Sequence, residues 1–330
     1  MNVCGVSVVI PMFNAEPWIR ETLVTVAQQT LSPIECIVVD DGSTDGGPEI
    51  VAEFITEIGG PFRLLRTPND GVAAARNVGI DASRGGYVAF LDADDLWNRW
   101  KLERQVGLLE STGADMCTSA YEIFDSVTLQ RVGVVACSDA PRAVRRWLAM
   151  EGNGLLISST GLIRRSALNL AREFNPDIAI CEDLEFTMRV VAEGEVVTDP
   201  AVLVGYRAHP HQAHRKVDEV ARNTAKLYDL TLDGPADGRF ARRCRANLDA
   251  HVGYSMVRHR RPADGVAHLL SAFRRDPVRL FTLPLHALVR RRLRRIRGLG
   301  RRRRFFDDPG IGVGVASLSV DSPDGSQGTM

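Results

Sequence analysis

The sequence predicts an α/β fold in which a mostly parallel sheet is covered by helices on both faces. Short apolar runs, rich in β-branched residues, alternate with amphipathic segments through the first third of the chain. Apolar runs of this length are typical of parallel strands that are buried on both faces. Carboxylates follow two of the runs directly, at the strand ends where α/β sheets bind ligands. We therefore expect a ligand site at that edge of the sheet.

Strands and helices alternate regularly in this first third. The predicted strands are residues 6–10, 34–39, 62–66 and 87–91, and the predicted helices are residues 17–29, a segment ending near 58, 72–82 and 98–110. Asn14 is expected to cap the first helix, because its side-chain oxygen can accept a backbone N–H at a helix start. Neither a Gly-x-Gly-x-x-Gly pattern after the first strand nor a Walker lysine motif occurs, so a dinucleotide fold or a P-loop is not supported.

The rest of the chain is predicted to become increasingly helical. A strand at 114–119, a hairpin at 121–136, helices at 141–150 and 182–192, and a late strand within 195–206 come first. The expected divisions are a domain at 1–215, a helical appendage at 216–286, an arginine-rich amphipathic segment at 287–306 and a disordered tail at 307–330.

The composition is that of an ordinary soluble protein. The 330 residues are 45% hydrophobic and 25% charged and carry no net charge at pH 7, so overall charge predicts no nucleic-acid partner. The six cysteines show neither a CxxC pair nor zinc-ligand spacing, which favours reduced thiols. No apolar run approaches the roughly 20 residues of a membrane-spanning helix, and no signal peptide is recognisable. We expect a cytoplasmic protein that is either soluble or peripheral at the inner face of the plasma membrane.

Three carboxylates within four residues follow the predicted strand at 87–91. Asp92, Asp94 and Asp95 would crowd together there, and their like charges repel unless a cation or a shared proton relieves them. Mg²⁺ or Mn²⁺ suits such oxygen ligands and usually also binds substrate phosphates. The alternative is that Asp94 or Asp95 only caps the helix that begins near residue 98. The motif alone favours neither interpretation.

Five motifs in series resemble those of the family 2 inverting glycosyltransferases, which have the GT-A fold. They are VVIPMFN at 8–14, VDDGS at 39–43, NDGVAAARNVG at 69–79, FLDADD at 90–95 and Glu182-Asp183. The resemblance covers roughly residues 5–210. It implies a Rossmann-like, mixed but mostly parallel sheet, a nucleotide-sugar donor and Mg²⁺ or Mn²⁺ as cofactor.

The resemblance implies a set of nucleotide-binding residues. They are Pro11, Asn14, Asp40, Asp41, Arg76 and Asp92. Asp41 is assigned mainly to a uracil-like base, since an ionised carboxylate can accept a ring N–H, and Asp40 to ordering its loop. Arg76 offers a planar fork of donors to carbonyl or phosphate oxygens, and Asp92 is directed toward the ribose. A UDP-sugar is the favoured donor.

The resemblance also assigns the two sides of the reaction. Asp94 would bind the metal that bridges the diphosphate, with Asp92 and His209 as further candidate ligands. Asp183 would act as the general base, taking the proton of an acceptor hydroxyl as it attacks. The remaining candidates lie in a segment that closes over the diphosphate in similar enzymes: Tyr206, Arg207 and Gln212.

Plainer interpretations exist for several of these residues. Glu182 and Asp183 at a helix start also suit the helix dipole, and Arg76 also suits a solvated helix surface. The three histidines of residues 209–214 suggest a metal cluster, but Pro210 and their irregular spacing favour a loop.

Ten arginines and no acidic residue occupy residues 287–306. An apolar stripe is predicted beside them on one helical face: Leu285, Val289, Leu293, Ile296 and Leu299. Such a segment, at residues 285–304, suits an anionic membrane surface, which attracts each basic residue by about 1 kcal/mol. The alternatives are a solvated helix with a basic tail and, ranked last because no aromatic residues interleave with the arginines, nucleic acid.

The predicted function is inverting transfer of a single sugar from a nucleotide-sugar donor to a hydroxyl acceptor, such as a lipid-linked or cell-envelope glycan. The chain lacks the Gln-x-x-Arg-Trp signature and the membrane helices of processive synthases. One alternative is a catalytically inactive, membrane-peripheral protein that binds nucleotide sugars, against which Asp92, Asp94 and Asp183 argue. The other is a sugar nucleotidyltransferase, which would carry a glycine-rich basic loop where this chain has Pro-Met-Phe-Asn.

Overall fold

A computed structural model describes residues 5–136, 139–151, 157–171, 173–210, 212, 217–232, 238–258 and 260–278. The strands are β1 (Val6–Met12), β2 (Glu35–Asp41), β3 (Phe62–Thr67), β4 (Tyr87–Phe90), β5 (Leu96–Trp97), β6 (Met116–Asp125), β7 (Arg131–Val135), β8 (Leu162–Arg164) and β9 (Val196–Ala208). The helices are α1 (Ile19–Ala27), α2 (Gly47–Ile58), α3 (Val72–Ala82), α4 (Lys101–Thr112), α5 (Ala140–Leu148), α6 (Ile157–Thr160), α7 (Arg165–Ala171), α8 (Glu182–Glu193), α9 (Val217–Thr231), α10 (Gly238–Arg258) and α11 (Pro262–Arg275). The predicted arginine-rich segment and tail lie outside the described residues.

The strands form one mixed sheet, nine-stranded across the described residues. β3, β2, β1 and β4 lie side by side in that order and run parallel, as the sequence predicts. β8 lies antiparallel between β4 and β6, β9 pairs parallel with β6, and β5 and β7 pair antiparallel with β9 and β6. Because the first four strands share one direction, their carboxyl ends meet at one edge.

Helices cover both faces of the sheet, which confirms the predicted fold class. Val8 and Ile10 pack into one buried cluster with Leu23 of α1. Val9 belongs to a second cluster with Ala73 of α3, on the opposite face. Successive side chains of a strand point to opposite faces, so the absence of polar residues from the centre of β1 is what two covered faces require.

The start of the first helix differs from the prediction. Asn14 does not cap it, because α1 begins only at Ile19 and the residue before it makes no side-chain cap. Asn14 instead has φ of 50°, and its Oδ1 accepts a hydrogen bond from the Thr44 N–H at 2.8 Å. Asparagine tolerates positive φ better than most residues. Its side chain therefore joins two loops at the sheet edge rather than a helix end.

The predicted helical appendage is present as α9, α10 and α11. One buried cluster contains Tyr228 of α9 and Cys244 of α10 together with Leu148 of α5 and Leu184 of α8. The appendage therefore packs beside the first turns of α8. No helix in the described part of the chain is both long and apolar enough to cross a bilayer.

Candidate active site

The predicted site residues from the first four strands lie at the carboxyl edge of the sheet. Asp40 and Asp41 are the last residues of β2, and Asp40 stands beside Met12 at the end of β1. The acidic motif at residues 92–95 begins two residues after the end of β4, which pairs with β1 on its other side. The parallel strands therefore bring both acidic motifs to one edge, as the sequence predicts.

Arg76 joins this edge to the start of α8. Its Nη2 lies 2.8 Å from Oδ1 of Asp92, and its Nη1 lies 2.6 Å from Oε1 of Glu182. The Arg76 side chain is only 3% exposed, and its guanidinium lies over the ring of Phe174, 5.3 Å from the centroid. A solvated helix surface is therefore excluded for Arg76. One buried cation holds two carboxylates from distant parts of the chain.

Asp183 lies in the first turn of α8, next to that bridge. The backbone before it is in the left-handed region, with φ of 76° at Cys181, and Asp183 Oδ1 accepts a hydrogen bond from the Leu184 N–H at 2.7 Å. Burial, and then the charge of Glu182, raise the pKa of Asp183 to about 7, against the opposing charge of Arg76. A carboxylate with a pKa near neutrality suits a general base.

Asp94 contacts His209 across the edge of the sheet. Asp94 Oδ2 lies 2.8 Å from His209 Nε2, and the Asp94 side chain is 25% exposed whereas that of His209 is 5% exposed. The imidazole also packs on the ring of Trp18, with the ring centroids 4.1 Å apart. His209 follows β9, so a strand remote in sequence contributes to the acidic motif.

Asp95 is a buried structural member of the acidic motif. Its Oδ2 accepts a hydrogen bond from Ser159 Oγ at 2.5 Å, and its Oδ1 accepts one from the Arg207 N–H at 3.0 Å. Burial raises the pKa of this carboxyl well above its usual range. Asp95 thus ties β9 and α6 to the motif, while Asp92 and Asp94 remain partly exposed.

The residues of the predicted closing segment bond and pack within the protein, and Arg207 among them contacts the acidic motif. Arg207 Nε donates to the backbone oxygen of Asp94 at 2.7 Å, and its Nη2 lies 2.6 Å from Oε2 of Glu21. Gln212 Nε2 donates to the backbone oxygen of Arg207 at 2.5 Å. Tyr206 packs edge to face on Tyr121, with centroids 6.1 Å apart. The Arg207 guanidinium is therefore already engaged within the protein.

Asp40 and Asp41 both order loops at the sheet edge. The two oxygens of Asp41 accept hydrogen bonds from the N–H groups of Asp70 and Gly71, each at 2.9 Å. Asp40 Oδ1 accepts one from the Ser43 N–H at 2.9 Å. Ordering a loop is thus a role that the two aspartates share. Pro11 lies buried within β1, one residue before its end.

Comparison with known proteins establishes the family. A sequence model of glycosyl transferase family 2 matches residues 7–168. An uncharacterized glycosyltransferase of Haemophilus influenzae is 32% identical over 173 residues, which cover 52% of this chain and 67% of that protein. The chain belongs to glycosyl transferase family 2. A Bacillus subtilis protein, TuaG, provisionally named a teichuronic acid biosynthesis glycosyltransferase, is 35% identical over 118 residues, which cover 36% of this chain and 47% of TuaG.

Two solved structures have a similar shape. S. aureus TarS residues 1–349 in complex with UDP-GlcNAc superimpose with a TM-score of 0.54 at 15% identity, over 81% of this chain and 90% of that one. A mannosyltransferase of Pyrobaculum calidifontis in complex with GDP-Man and Mn²⁺ gives 0.56 at 20% identity, over 88% and 80% of the two chains. At such low identity the likeness shows the fold, and the fold of this family 2 member is of the GT-A type.

The residues of the acidic motif fit a divalent cation that a substrate helps to bind. Within the described residues, no three His, Cys, Asp or Glu side chains converge to hold a metal by themselves. The pair of Asp94 and His209 nevertheless supplies a partly exposed carboxylate and an imidazole in contact. Mg²⁺ and similar ions are commonly held by one or two carboxylates, with substrate phosphates completing their coordination. The donor set therefore fits Mg²⁺ or Mn²⁺ together with a diphosphate.

Sequence reasoning missed a buried network beneath the acidic motif of this family 2 chain. Ser159 of α6 bonds Asp95, and the carbonyls of Ser159 and the next two residues accept hydrogen bonds from buried side chains of β5 and α4. The pairs are Trp97 Nε1 with Ser159 O (2.8 Å), Gln105 Nε2 with Thr160 O (2.8 Å) and Lys101 Nζ with Gly161 O (3.4 Å). No signal in the sequence marks this buried network, because a buried lysine and a helix of four residues follow no periodic pattern.

Proposed function

We propose that this family 2 glycosyltransferase transfers a single sugar from a nucleotide-sugar donor to a hydroxyl acceptor, with inversion at the anomeric carbon. The observation that supports this most is the Arg76 bridge between Asp92 and Glu182. Through it, the acidic motif after β4 and the first turn of α8 lie within one electrostatic network. Inversion needs a proton acceptor on one side of the reacting carbon and a stabilised leaving group on the other.

Asp183 is the proposed general base. As the acceptor oxygen attacks the anomeric carbon, its proton passes to the Asp183 carboxylate and the bond to the diphosphate oxygen breaks. The carboxylate must be ionised to accept the proton, and a pKa of about 7 leaves a substantial ionised fraction at neutral pH. Arg76 Nη1 lies 2.6 Å from Oε1 of Glu182, the residue before the proposed base. This ion pair limits the freedom of the first turn of α8.

The donor is proposed to lie along the carboxyl edge of the sheet. Asp41 is proposed to face the nucleobase. A UDP-sugar is the favoured donor, and Pro11, Asn14 and Asp40 shape the surrounding loops. Arg76 and Asp92 are the proposed contacts to the rest of the nucleotide, outside the nucleobase. The structural neighbours in complex with UDP-GlcNAc and with GDP-Man support a nucleotide sugar as the donor class.

Asp94 is the proposed ligand of Mg²⁺ or Mn²⁺, with Asp92 and His209 beside it. When bound, such an ion stabilises the negative charge that grows on the leaving diphosphate. Arg207 keeps the Asp94 backbone in place, and the segment with Tyr206 and Gln212 is proposed to cover the diphosphate. The Mn²⁺ in the complex of the structural neighbour supports this choice of cofactor.

The acceptor is proposed to be a hydroxyl of a cell-envelope glycan or its lipid-linked precursor. The name of TuaG, which assigns it to teichuronic acid biosynthesis, supports an envelope polysaccharide. A lipid-linked acceptor would make attachment to the inner face of the plasma membrane useful. Residues 285–304 are the proposed attachment segment, and they lie outside the described residues.

A screen of nucleotide sugars tests this function. The full chain is incubated with each donor and Mn²⁺, and release of the nucleoside diphosphate is measured with and without candidate glycan acceptors. The proposal expects one donor class to be turned over, faster with acceptor present, and a product of inverted anomeric configuration by NMR. Failure of every nucleotide sugar to bind or react would contradict it, and a product of retained configuration would contradict the inverting mechanism.

A further inference from the structure

An arginine-rich cavity lies outside the proposed active site, between α5 and α10. Its volume is about 430 Å³, which is within the usual range for small-molecule sites. Four of its lining residues are arginines: Arg142, Arg145, Arg146 and Arg243. The cavity is therefore large enough for a small ligand and is lined by several positive charges.

The acidic side chains of the cavity do not balance these arginines. Asp139 accepts a hydrogen bond from the Arg142 N–H and so serves as the N-cap of α5. Glu151 forms an ion pair with Arg243. Among the described residues, no acidic side chain pairs with the guanidinium of Arg142, Arg145 or Arg146, a set that we call the α5 arginines. The cavity therefore retains a local excess of positive charge.

The α5 arginines repel one another by their spacing. Residues three and four apart lie on the same side of a helix, and like charges at these spacings destabilise it. Arg145 lies over the ring of Phe240, with its guanidinium 4.3 Å from the centroid. Stacking on an aromatic ring leaves the donors at the edge of a guanidinium available for an anion. Guanidinium forks bind phosphate oxygens with two parallel hydrogen bonds.

The cavity lies on a helix that packs against the catalytic helix. Val144 and Leu148 of α5 share a buried cluster with Cys181 and Leu184 of α8, residues that flank the proposed base Asp183. An anion bound by the α5 arginines would thus be held on a helix that contacts α8, the helix of the proposed base.

We propose that the cavity between α5 and α10 binds a phosphate or diphosphate group carried by the acceptor. The assignment to the acceptor rests on the proposed function, whereas the phosphate site itself does not. Phosphate chemistry could come from a lipid diphosphate or from a soluble phosphorylated glycan. Either would be anchored at its charged end, and its hydroxyl is expected to extend from there toward the proposed base.

Titration calorimetry with inorganic pyrophosphate, without divalent metal, tests the phosphate site on the full chain. The double variant Arg142→Gln/Arg145→Gln removes two donors of the cavity. The control Arg258→Gln/Arg274→Gln removes the same charge from exposed positions of α10 and α11, where no acidic partner is present among the described residues. Since all four side chains are exposed, both variants are expected to fold, and their melting temperatures check this.

The proposal expects the cavity variant to weaken pyrophosphate binding by about tenfold or more, and the control to leave it within about twofold. No pyrophosphate binding by the wild-type chain, or equal weakening in both variants, would overturn it. If the donor screen fails while the cavity variant alone loses pyrophosphate, the phosphate site stands and only its link to the acceptor falls.

Sedimentation with vesicles separates the two sources of phosphate. Vesicles of phosphatidylcholine with and without phosphatidic acid are compared for the same two variants. Weaker sedimentation of the cavity variant alone with phosphatidic acid would identify a site open to lipid phosphate. Equal sedimentation of the two variants, together with the selective loss of pyrophosphate binding, would identify a site for soluble phosphorylated ligands.

Discussion

Single residues of the site carry their function through their neighbours, and Arg76 is the clearest case. Its guanidinium meets Asp92 and Glu182 with separate nitrogens, at 2.8 and 2.6 Å. A lysine has the same charge but presents it as one compact ammonium group, which does not reproduce the fork. The geometry at the site therefore depends on the shape of the side chain as well as its charge.

Replacing Arg76 by lysine is expected to lower the free energy of unfolding by about 1–3 kcal/mol, since a buried charged partner loses its hydrogen bond. Denaturation by urea measures this. The control is Arg20→Lys, because Arg20 pairs with Glu57 on the surface, where both side chains are about 40% exposed. That change is expected to cost at most about 1 kcal/mol. Equal losses in the two variants would show that the Arg76 bridge has no special structural role.

The ionisation of Asp183 predicts a pH dependence of the reaction. A base must be deprotonated to act, and burial raises the pKa of Asp183 to about 7. We therefore expect kcat/KM to rise about tenfold per pH unit below that value and to level off above it. Initial rates over a pH series measure this. A profile that stays flat down to pH 5 would show that Asp183 is not the base whose ionisation limits the reaction.

The roles of residues were only partly predictable from the sequence. The order of the motifs was enough to predict that Asp92 and Arg76 share one site, because the ends of parallel strands align. The same reasoning did not foresee that Glu182 is the partner of Arg76, or that Asp95 is buried beneath the motif. Such roles depend on side-chain directions from elements far apart in the chain, which local patterns do not encode.

At the scale of elements, the short helix α6 supports the acidic motif. Ser159 links it to Asp95 at 2.5 Å, and its Oγ also accepts a hydrogen bond from the Asp92 N–H at 3.2 Å. Side chains from β5 and α4 hold the carbonyls of the same segment. The strand end, α6 and α4 therefore form one rigid support.

Ser159→Ala is expected to reduce stability by about 1–3 kcal/mol, since the buried carboxyl of Asp95 loses a partner. Donor affinity is also expected to fall, because Asp92 and Asp94 lose part of their support, while Ser159→Thr keeps the hydroxyl and is expected to restore both. Urea denaturation and donor titration measure these effects. The matched control is Ser111→Ala, whose hydroxyl bonds only the backbone of its own helix. Unchanged donor affinity in Ser159→Ala would show that α6 plays no part in positioning.

The regular elements were more predictable than the connections between them. The helix at Val72–Ala82 has the predicted bounds, because a turn signal and an apolar face define it on both sides. The strand within 114–119 extends instead to Asp125, since its pairing with β9 overrides the local pattern. Neither β8 nor α6 was predicted, because three or four residues are too short for a periodic signal.

At the scale of the whole molecule, the helical appendage and the glycosyltransferase sheet meet at α8. Tyr228 of α9 donates a hydrogen bond to the backbone oxygen of Leu148 in α5, and α5 packs on α8. The appendage thus supports the helix that carries the proposed base. The segment that would reach a membrane follows the appendage in sequence, so attachment and catalysis are expected to be separable.

Removing residues 285–330 is expected to lower sedimentation with anionic vesicles and to leave nucleotide-sugar binding intact. Each basic residue near an anionic surface contributes about 1 kcal/mol of attraction, and the predicted donor residues lie elsewhere in the chain. Vesicle sedimentation and donor titration of the truncated chain test this together. Equal sedimentation with and without the segment would remove it as a membrane attachment.

The most direct test of the account compares donor binding and sugar transfer in Asp183→Asn. The central claim is that Asp183 accepts the proton while separate carboxylates at the sheet edge bind the donor. We expect the variant to bind the nucleotide sugar with Mn²⁺ as the wild type does and to transfer sugar about 10²–10⁴-fold more slowly. Transfer at the wild-type rate, or loss of donor binding in parallel with transfer, would contradict the claim.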